Sequence, residues 1–300
     1  MAISAKDVQK LREMTGVGMM DCKKALTESE GDFDKAIEWL REKGLAAQTK
    51  KAGKVAAEGV SYAVVTEKGV GVIIEVNSQT DFVAKNDVFK DFVMALAVVV
   101  AEEAPADVEA LKACRYPGTE RTVADVTADK VLAIGENIQI RRFVRYAEGV
   151  NVPYIHMGGK VGVLVNLAVE GIEPQQVTEL GKDIAMQICA MNPSYLDKSD
   201  VSQEVLDKEK EIQLALMAND PKMAAKPDKV KEGIVMGKLG KYYEENCLLQ
   251  QAFVKENKIS VEKHVAEIAK QLGGKITVKA FTRFATVEGI EKAEDDFAAE

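Results

Sequence analysis

The sequence predicts an α+β chain assembled in pieces: an N-terminal three-helix module, a core of two related α+β subdomains with antiparallel sheets, and an inserted antiparallel helical arm. Three observations carry this. Apolar stripes of helical spacing, punctuated by glycine, fill residues 1–45; an apolar, β-branched run followed by an amphipathic helix occurs twice; and a narrow apolar stripe flanks Asn219-Asp220-Pro221 on both sides.

In the module, Ser4 with Asp7 three residues on reads as a capping box with Asp in place of the usual Glu or Gln. Val8, Leu11 and Met14 then form a stripe that stops at Gly16. After Thr15-Gly16-Val17-Gly18, a second helix carries Met19, Cys22, Ala25 and Leu26 to near Gly31. Asp32 caps a third helix, with Phe33, Ile37 and Leu40 facing inward and Gly44 closing it. Three short helices on glycine turns make a bundle of a kind that binds other proteins. Met19 and Met20 fit core filling, the usual task of methionine, yet helix neighbours do not share a face, so at least one of the two points away from the stripe. Residues 46–59, rich in Ala, Lys and Gly, read as a linker whose Lys50, Lys51 and Lys54 are solvated spacers.

The core is expected over 60–200 and 249–288. Val70-Gly71-Val72-Ile73-Ile74-Glu75-Val76 has strand length and composition, and Asn77 and Ser78 break it. Phe82, Phe89, Val93, Leu96 and Val100 then recur at helical spacing, which predicts one long helix from Asp81 to Glu103. Thr80 is its N-cap, and Asp81 falls in the first turn, where the helix dipole favours an anion. Two readings of Thr80-Asp81-Phe82-Val83 stand at this point. Asp81 and Phe82 are an ordinary first-turn anion and core aromatic, or they are an outward pair that probes another protein; periodicity does not decide between them.

The strand run recurs as Val161-Gly162-Val163-Leu164-Val165, followed by a helix from Glu173 to Met191, and Ile138–Arg145 matches Ile276–Arg283 in alternation, in its Phe and in its final Arg. The strand-turn-strand stretches are too short for crossovers, so the sheets are expected to be antiparallel. Within 201–248, Val201, Val205, Ile212 and Leu216, then Val230, Ile234 and Leu239, form a stripe about as wide as a coiled-coil seam. Gly233, Gly237 and Gly240 on the second helix weaken it relative to alanine and imply close backbone approach.

Composition narrows the function. A formal net charge of -8 argues against a general nucleic-acid grip. The apolar run Phe92–Ala101 is too short to cross a bilayer, and Met1–Lys6 lacks a signal-peptide pattern, so a cytoplasmic location is expected. Cys22, Cys114, Cys189 and Cys247 are scattered and fit reduced packing thiols. His156 and His264 stand far apart, without metal-ligand spacing, and no nucleophile elbow occurs. Met157-Gly158-Gly159-Lys160-Val161 lacks the spacing of a phosphate loop and reads as a hairpin turn, with His156 just before it as a structural strand-end residue or a contact. A chain without a catalytic set, metal site or cofactor site acts by binding and is not an enzyme.

Four stretches then carry a resemblance: Thr15–Leu26, Asn77–Lys85, Ile134–Ile138 and Tyr154–Val165 occur in the same order as in the elongation factor Ts family, over nearly the whole chain. The resemblance implies a guanine-nucleotide exchange factor that binds elongation factor Tu, promotes release of GDP and lets GTP replace it, without a cofactor. By residue-wise carry-over, Asp81 and Phe82, with Thr80 and Val83, would enter the partner near its Mg²⁺ site, Phe82 as a wedge and Asp81 disturbing the groups that support the metal. Burial of Phe82 could supply about 2 kcal/mol. The module resembles the family's ubiquitin-associated-like (UBA-like) domain, whose Leu11, Arg12, Met19 and Met20 would rest on the partner's GTPase domain. His156 matches the position near the partner's phosphate loop. The arm over 201–248 matches the family's coiled-coil insertion, with a possible homodimer contact, and 289–300 would start a further C-terminal helix.

Overall fold

A computed structural model describes residues 3–290, so the C-terminal helix expected from 289 lies outside the described residues beyond Ile290. The chain divides into two compact units. The first takes in the chain through Ala147, residues Ile155–Gly162 and the stretch from Phe284; the second takes in Glu148–Tyr154 and Val163–Arg283.

The first unit follows the order α1 (Ala5–Thr15), α2 (Met19–Glu28), α3 (Phe33–Lys51), β1 (Glu58–Val65), β2 (Gly71–Ser78), α4 (Asp81–Lys85), α5 (Asp87–Glu103), α6 (Val108–Ala113), α7 (Val123–Ile134) and β3 (Gln139–Tyr146). The capping box at α1 forms with Asp: Ser4 Oγ accepts the Asp7 N–H, and the Asp7 carboxylate accepts the Ser4 N–H. Gly16 ends the helix at φ 70°. Val8, Leu11, Cys22, Ala25, Leu26, Ala36 and Leu40 pack as the core of α1–α3.

Two expectations need correction here. Helix α3 does not close at Gly44 but continues to Lys51, so the segment read as a linker from 46 begins as helix. Gly44 is buried, and a Cβ there would stand 3.2 Å from the Ala128 carbonyl oxygen. The glycine admits α7 to close range; it does not stop the helix, and the Leu45–Lys51 stretch is made largely of good helix formers. The single helix expected over Asp81–Glu103 is two. Asn86 is extended (φ -70°, ψ 133°) and its Oδ1 accepts the Val88 N–H at 2.8 Å, capping α5 anew. That break takes Phe82 off the stripe that buries Phe89.

Strands β1-β2-β3 form an antiparallel sheet with β2 in the middle, Glu58 opposite Ser78 and Ser61 opposite Glu75. Every residue of β2 is buried. Phe89, Phe92, Val93, Leu96 and Val100 of α5 join Val72, Ile74 and Val76 in one core. This fixes the strand whose end leads into Thr80.

After β3 the chain continues as β4 (Val150–His156), β5 (Val161–Glu170), α8 (Thr178–Met191), α9 (Gln203–Asn219), α10 (Pro221–Ala224), α11 (Asp228–Asn246), β6 (Ala252–Phe253), β7 (Glu256–Ser260), α12 (Val261–Leu272) and β8 (Lys275–Ala285), most of it in the second unit. The sheet order β4-β5-β8 places the two echoed runs as the first sheet does, the shorter echo in the middle and the longer beside it. Gly181 of α8 lets that helix lie against Val152, whose Cβ would be 2.8 Å from an added Cβ.

Helices α9 and α11 pack against each other on only part of the expected stripe: Val201 and Leu239 are buried and Val205 and Ile234 half-buried, as expected. Ile212, Leu216 and Val230 of that stripe are exposed, whereas Met217 and Val235, outside it, are buried. The inward side of α9 continues from Val205 through Glu209 and Gln213 to Met217, at four-residue steps. Gln213 Nε2 donates to Glu209 Oε1 at 2.7 Å, so the half-buried polar pair satisfies itself and hides the helix's true face from an apolar count. The expected close approach at Gly233, Gly237 and Gly240 is also absent: a Cβ at each meets nothing within 4 Å. Among the described residues, no helix is long and apolar enough to cross a membrane.

Candidate functional site

At the end of β2 the chain makes a turn held by a carboxylate. Glu136, just beyond the Gly135 cap of α7, accepts the Gln79 and Thr80 N–H groups at 3.0 Å each on Oε2 and the Thr80 hydroxyl at 2.6 Å on Oε1. Asn137 completes the clamp: its N–H donates to Gln79 Oε1 at 2.8 Å and its Nδ2 to the Lys54 carbonyl at 2.7 Å. Three donors on one carboxylate set the start of α4, and Thr80 caps it by accepting the Val83 N–H.

On this fixed base Phe82 is 83% exposed. Asp81 lies half-buried in the first turn and accepts Lys85 Nζ at 2.6 Å. The Lys85 ammonium holds the Asp81 carboxyl below its usual range, with a smaller push in the same direction from Lys160; Asp81 in turn raises Lys85. Val83 is half-buried and faces a groove, so of the four residues only Phe82 projects.

The influence of Lys160 places a second element alongside. The turn Met157–Lys160 closes the hairpin between β4 and β5, and its His156 and Met157 are exposed. The turn is pinned to β1: the Ser61 N–H donates to the Gly159 carbonyl at 2.8 Å, and Lys160 pairs with Glu58. Gly159, at φ 100°, is pressed so close that an added Cβ would stand 2.7 Å from Val60 Cγ1. Because Glu58 is opposite Ser78, the tip carrying His156 sits beside the root of the Asp81–Phe82 projection.

The helical module supplies a third surface. Arg12, Met19 and Met20 are exposed, Met20 at 77%. Leu11 is 0% exposed in the module's core, which corrects its place among the expected contacts: it holds α1 down and presents nothing outward. Thr15 and Gly16 face Val83, Asn86 and Val88 across a 570 Å³ groove that also touches Lys130 and Ile134. Sequence reasoning gave no role to Glu136, Asn137, Lys160 or Ser61. Glu136, Asn137 and Lys160 do lie inside the resembling stretches Ile134–Ile138 and Tyr154–Val165, and Glu136 directly follows a helix-ending glycine, but neither signal says what they bind.

Chemically the site offers an exposed ring, a charged carboxylate and thioethers. Among the described residues no group of three His, Cys, Asp or Glu side chains stands close enough to hold a metal.

Residues 79–288 match the family model described as Elongation factor TS. Elongation factor Ts of Syntrophotalea carbinolica is 47% identical over 302 residues, covering 100% of this chain and 98% of the relative. That of Halothermothrix orenii is 48% identical over 303 residues, covering 100% and 97%. That of Clostridium perfringens strain 13 is 48% identical over 301 residues, covering 99% and 97%. The matched span begins at the clamped turn, just past β2, and takes in β3 and the whole of the β4-β5-β8 sheet, and the chain belongs to the elongation factor Ts family.

Proposed function

We propose that Phe82 enters an apolar pocket of elongation factor Tu beside its Mg²⁺ site, that Asp81 disturbs the groups supporting the metal, and that the tip with His156 works at the phosphate loop. As a member of its family the chain is a translation elongation factor that acts as a nucleotide exchange factor for elongation factor Tu. The reading of the site rests on one observation above all: a large aromatic, 83% exposed, on a turn fixed by Glu136. An exposed ring on a rigid base loses little conformational freedom on binding and removes its apolar surface from water.

Exchange makes and breaks no bond. The factor has to bind the nucleotide-free partner more tightly than the loaded one, and whatever weakens GDP in the ternary complex equally weakens the factor. The module, read as UBA-like, lays Arg12, Met19 and Met20 on the partner's GTPase domain. Helices α9 and α11 form the coiled-coil arm of 201–248, with a homodimer contact along it, inserted in the core of 60–200 and 249–288. The protein works in the cytoplasm, without a cofactor. The direct test loads elongation factor Tu with a fluorescent GDP analogue and follows its release on adding this chain. Saturable acceleration is expected; release at the intrinsic rate at all concentrations of the chain overturns the reading.

A further inference from the structure

The stretch after β8 runs through the first unit and touches both elements of the site. Thr286, 8% exposed, donates its N–H to the Lys160 carbonyl at 2.9 Å and its hydroxyl to the Gly159 carbonyl at 2.8 Å. Its one hydroxyl proton is thereby used, so in the 3.1 Å contact between Ser61 Oγ and Thr286 Oγ1 the serine donates. The next residue, Val287, has φ 63°, a costly conformation for a β-branched side chain. Its N–H donates at 2.8 Å to Oε1 of Glu75, a fully buried carboxylate in the middle of β2. Arg141 Nη1 at 2.9 Å, Asn77 Nδ2 at 3.1 Å and Arg142 Nε at 2.7 Å complete the Glu75 shell. Ser61 and Glu75 face each other in the β1–β2 register.

The same short segment therefore grips the hairpin tip at residue 286 and the probe-bearing strand at residue 287. A segment that merely ended the chain's last strand would have no cause to hold a β-branched residue in the left-handed region. We infer that Thr286 is a positioning residue for exchange: it fixes the His156 tip against β1, and through Val287 and Glu75 the tip is held at a set distance from the Asp81–Phe82 projection. This inference rests on the proposed role of the tip at the partner's phosphate loop. It concerns a residue that touches no nucleotide and no metal and acts only through where it places His156. The valine isostere keeps the side-chain shape and removes both hydroxyl contacts, whereas serine keeps them.

Two readouts test it. In amide hydrogen exchange on the free chain, T286V is expected to speed exchange at residues 157–160 by about fivefold, the usual worth of a lost hydrogen bond, and T286S to restore it. Residues 79–83, clamped by Glu136, are expected to stay as in the wild type. In nucleotide release from elongation factor Tu, T286V is expected to slow the accelerated rate by about fivefold, T286S to recover it, and the T286V, His156→Ala double variant to be no slower than His156→Ala alone. Unchanged exchange at 157–160 in T286V, or losses from T286V and His156→Ala that multiply, would overturn the inference. Should the wild-type chain leave GDP release at its intrinsic rate, the proposed function fails, and the amide readout still decides whether Thr286 fixes the tip.

Discussion

Replacing Phe82 by alanine separates a partner-facing ring from a core one. A phenylalanine carries roughly 200 Å² of burial when it is fully enclosed. Phe82 has 83% of its surface available in the free chain. After allowing for the Cβ that alanine retains, about 120 Å² of ring surface is lost to the complex, worth about 3 kcal/mol at about 25 cal/mol per Å². If that burial is realised in the nucleotide-free complex and not in the GDP-bound one, the accelerated release of GDP falls about 150-fold. The same change in the free chain removes no packed neighbour, so its stability should move by less than about 0.5 kcal/mol. Phe92, ten residues on in α5, is 1% exposed and serves as the contrast. Phe92→Ala should cost about 3 to 5 kcal/mol of stability. The assay pairs fluorescent-GDP release from elongation factor Tu with thermal unfolding of each variant. A Phe82→Ala protein that melts several degrees lower while exchanging normally would show that the ring is core and not a partner contact.

Three other outcomes follow from the geometry. Glu136→Ala leaves the Gln79 and Thr80 donors without their carboxylate; stability should drop by about 1 to 3 kcal/mol and GDP release should slow, measured by unfolding and exchange side by side. Gly237→Ala on α11 should raise thermal stability by about 0.5 to 1 kcal/mol, since the site is helical and open, and a loss of stability would expose an unseen close contact. For Glu75, burial alone would raise the carboxyl. The Val287 N–H, Asn77 and the two arginines outweigh it and hold the group below its ordinary value of 4.5. A carboxylate with a depressed folded-state value contributes stability that is present above 4.5 and lost as the pH falls through the lowered value. Unfolding followed from neutral to acid pH should therefore show a steeper acid loss for the wild type than for Glu75→Gln, whose overall stability should be lower at neutral pH.

Much of this fold could be read directly from residues. The Ser4–Asp7 capping box, the Gly16 stop, the buried β2 run and the glycine turn at 157–160 are local signals, and each formed as its local chemistry requires. The misreadings have two causes: a deciding partner far away in sequence, or a local polar contact that an apolar count passes over. Gly44 reads as a helix end until Ala128 is seen against it. Ile212 and Leu216 read as inward because the polar pair Glu209 and Gln213, which bond each other on the inward side of α9, does not register in an apolar stripe. Phe82 fitted the apolar stripe of α5 because Asn86, as a second cap, was not recognised; its Oδ1 bond to the Val88 N–H is a local signal that the periodicity concealed. The site's support was the least legible part. Glu136, Lys160 and Thr286 act on residues 56, 102 and 127 positions away, and no spacing rule links such separations.

In the proposed mechanism the chain and GDP oppose each other's binding to one shared partner. Calorimetric titration of this chain into elongation factor Tu, once nucleotide-free and once with saturating GDP, measures that coupling directly. The account predicts a much weaker Kd with GDP present, by the same factor by which the chain weakens GDP binding, and a collapse of most of that factor in Phe82→Ala. Equal affinity for the empty and the GDP-bound partner would contradict it.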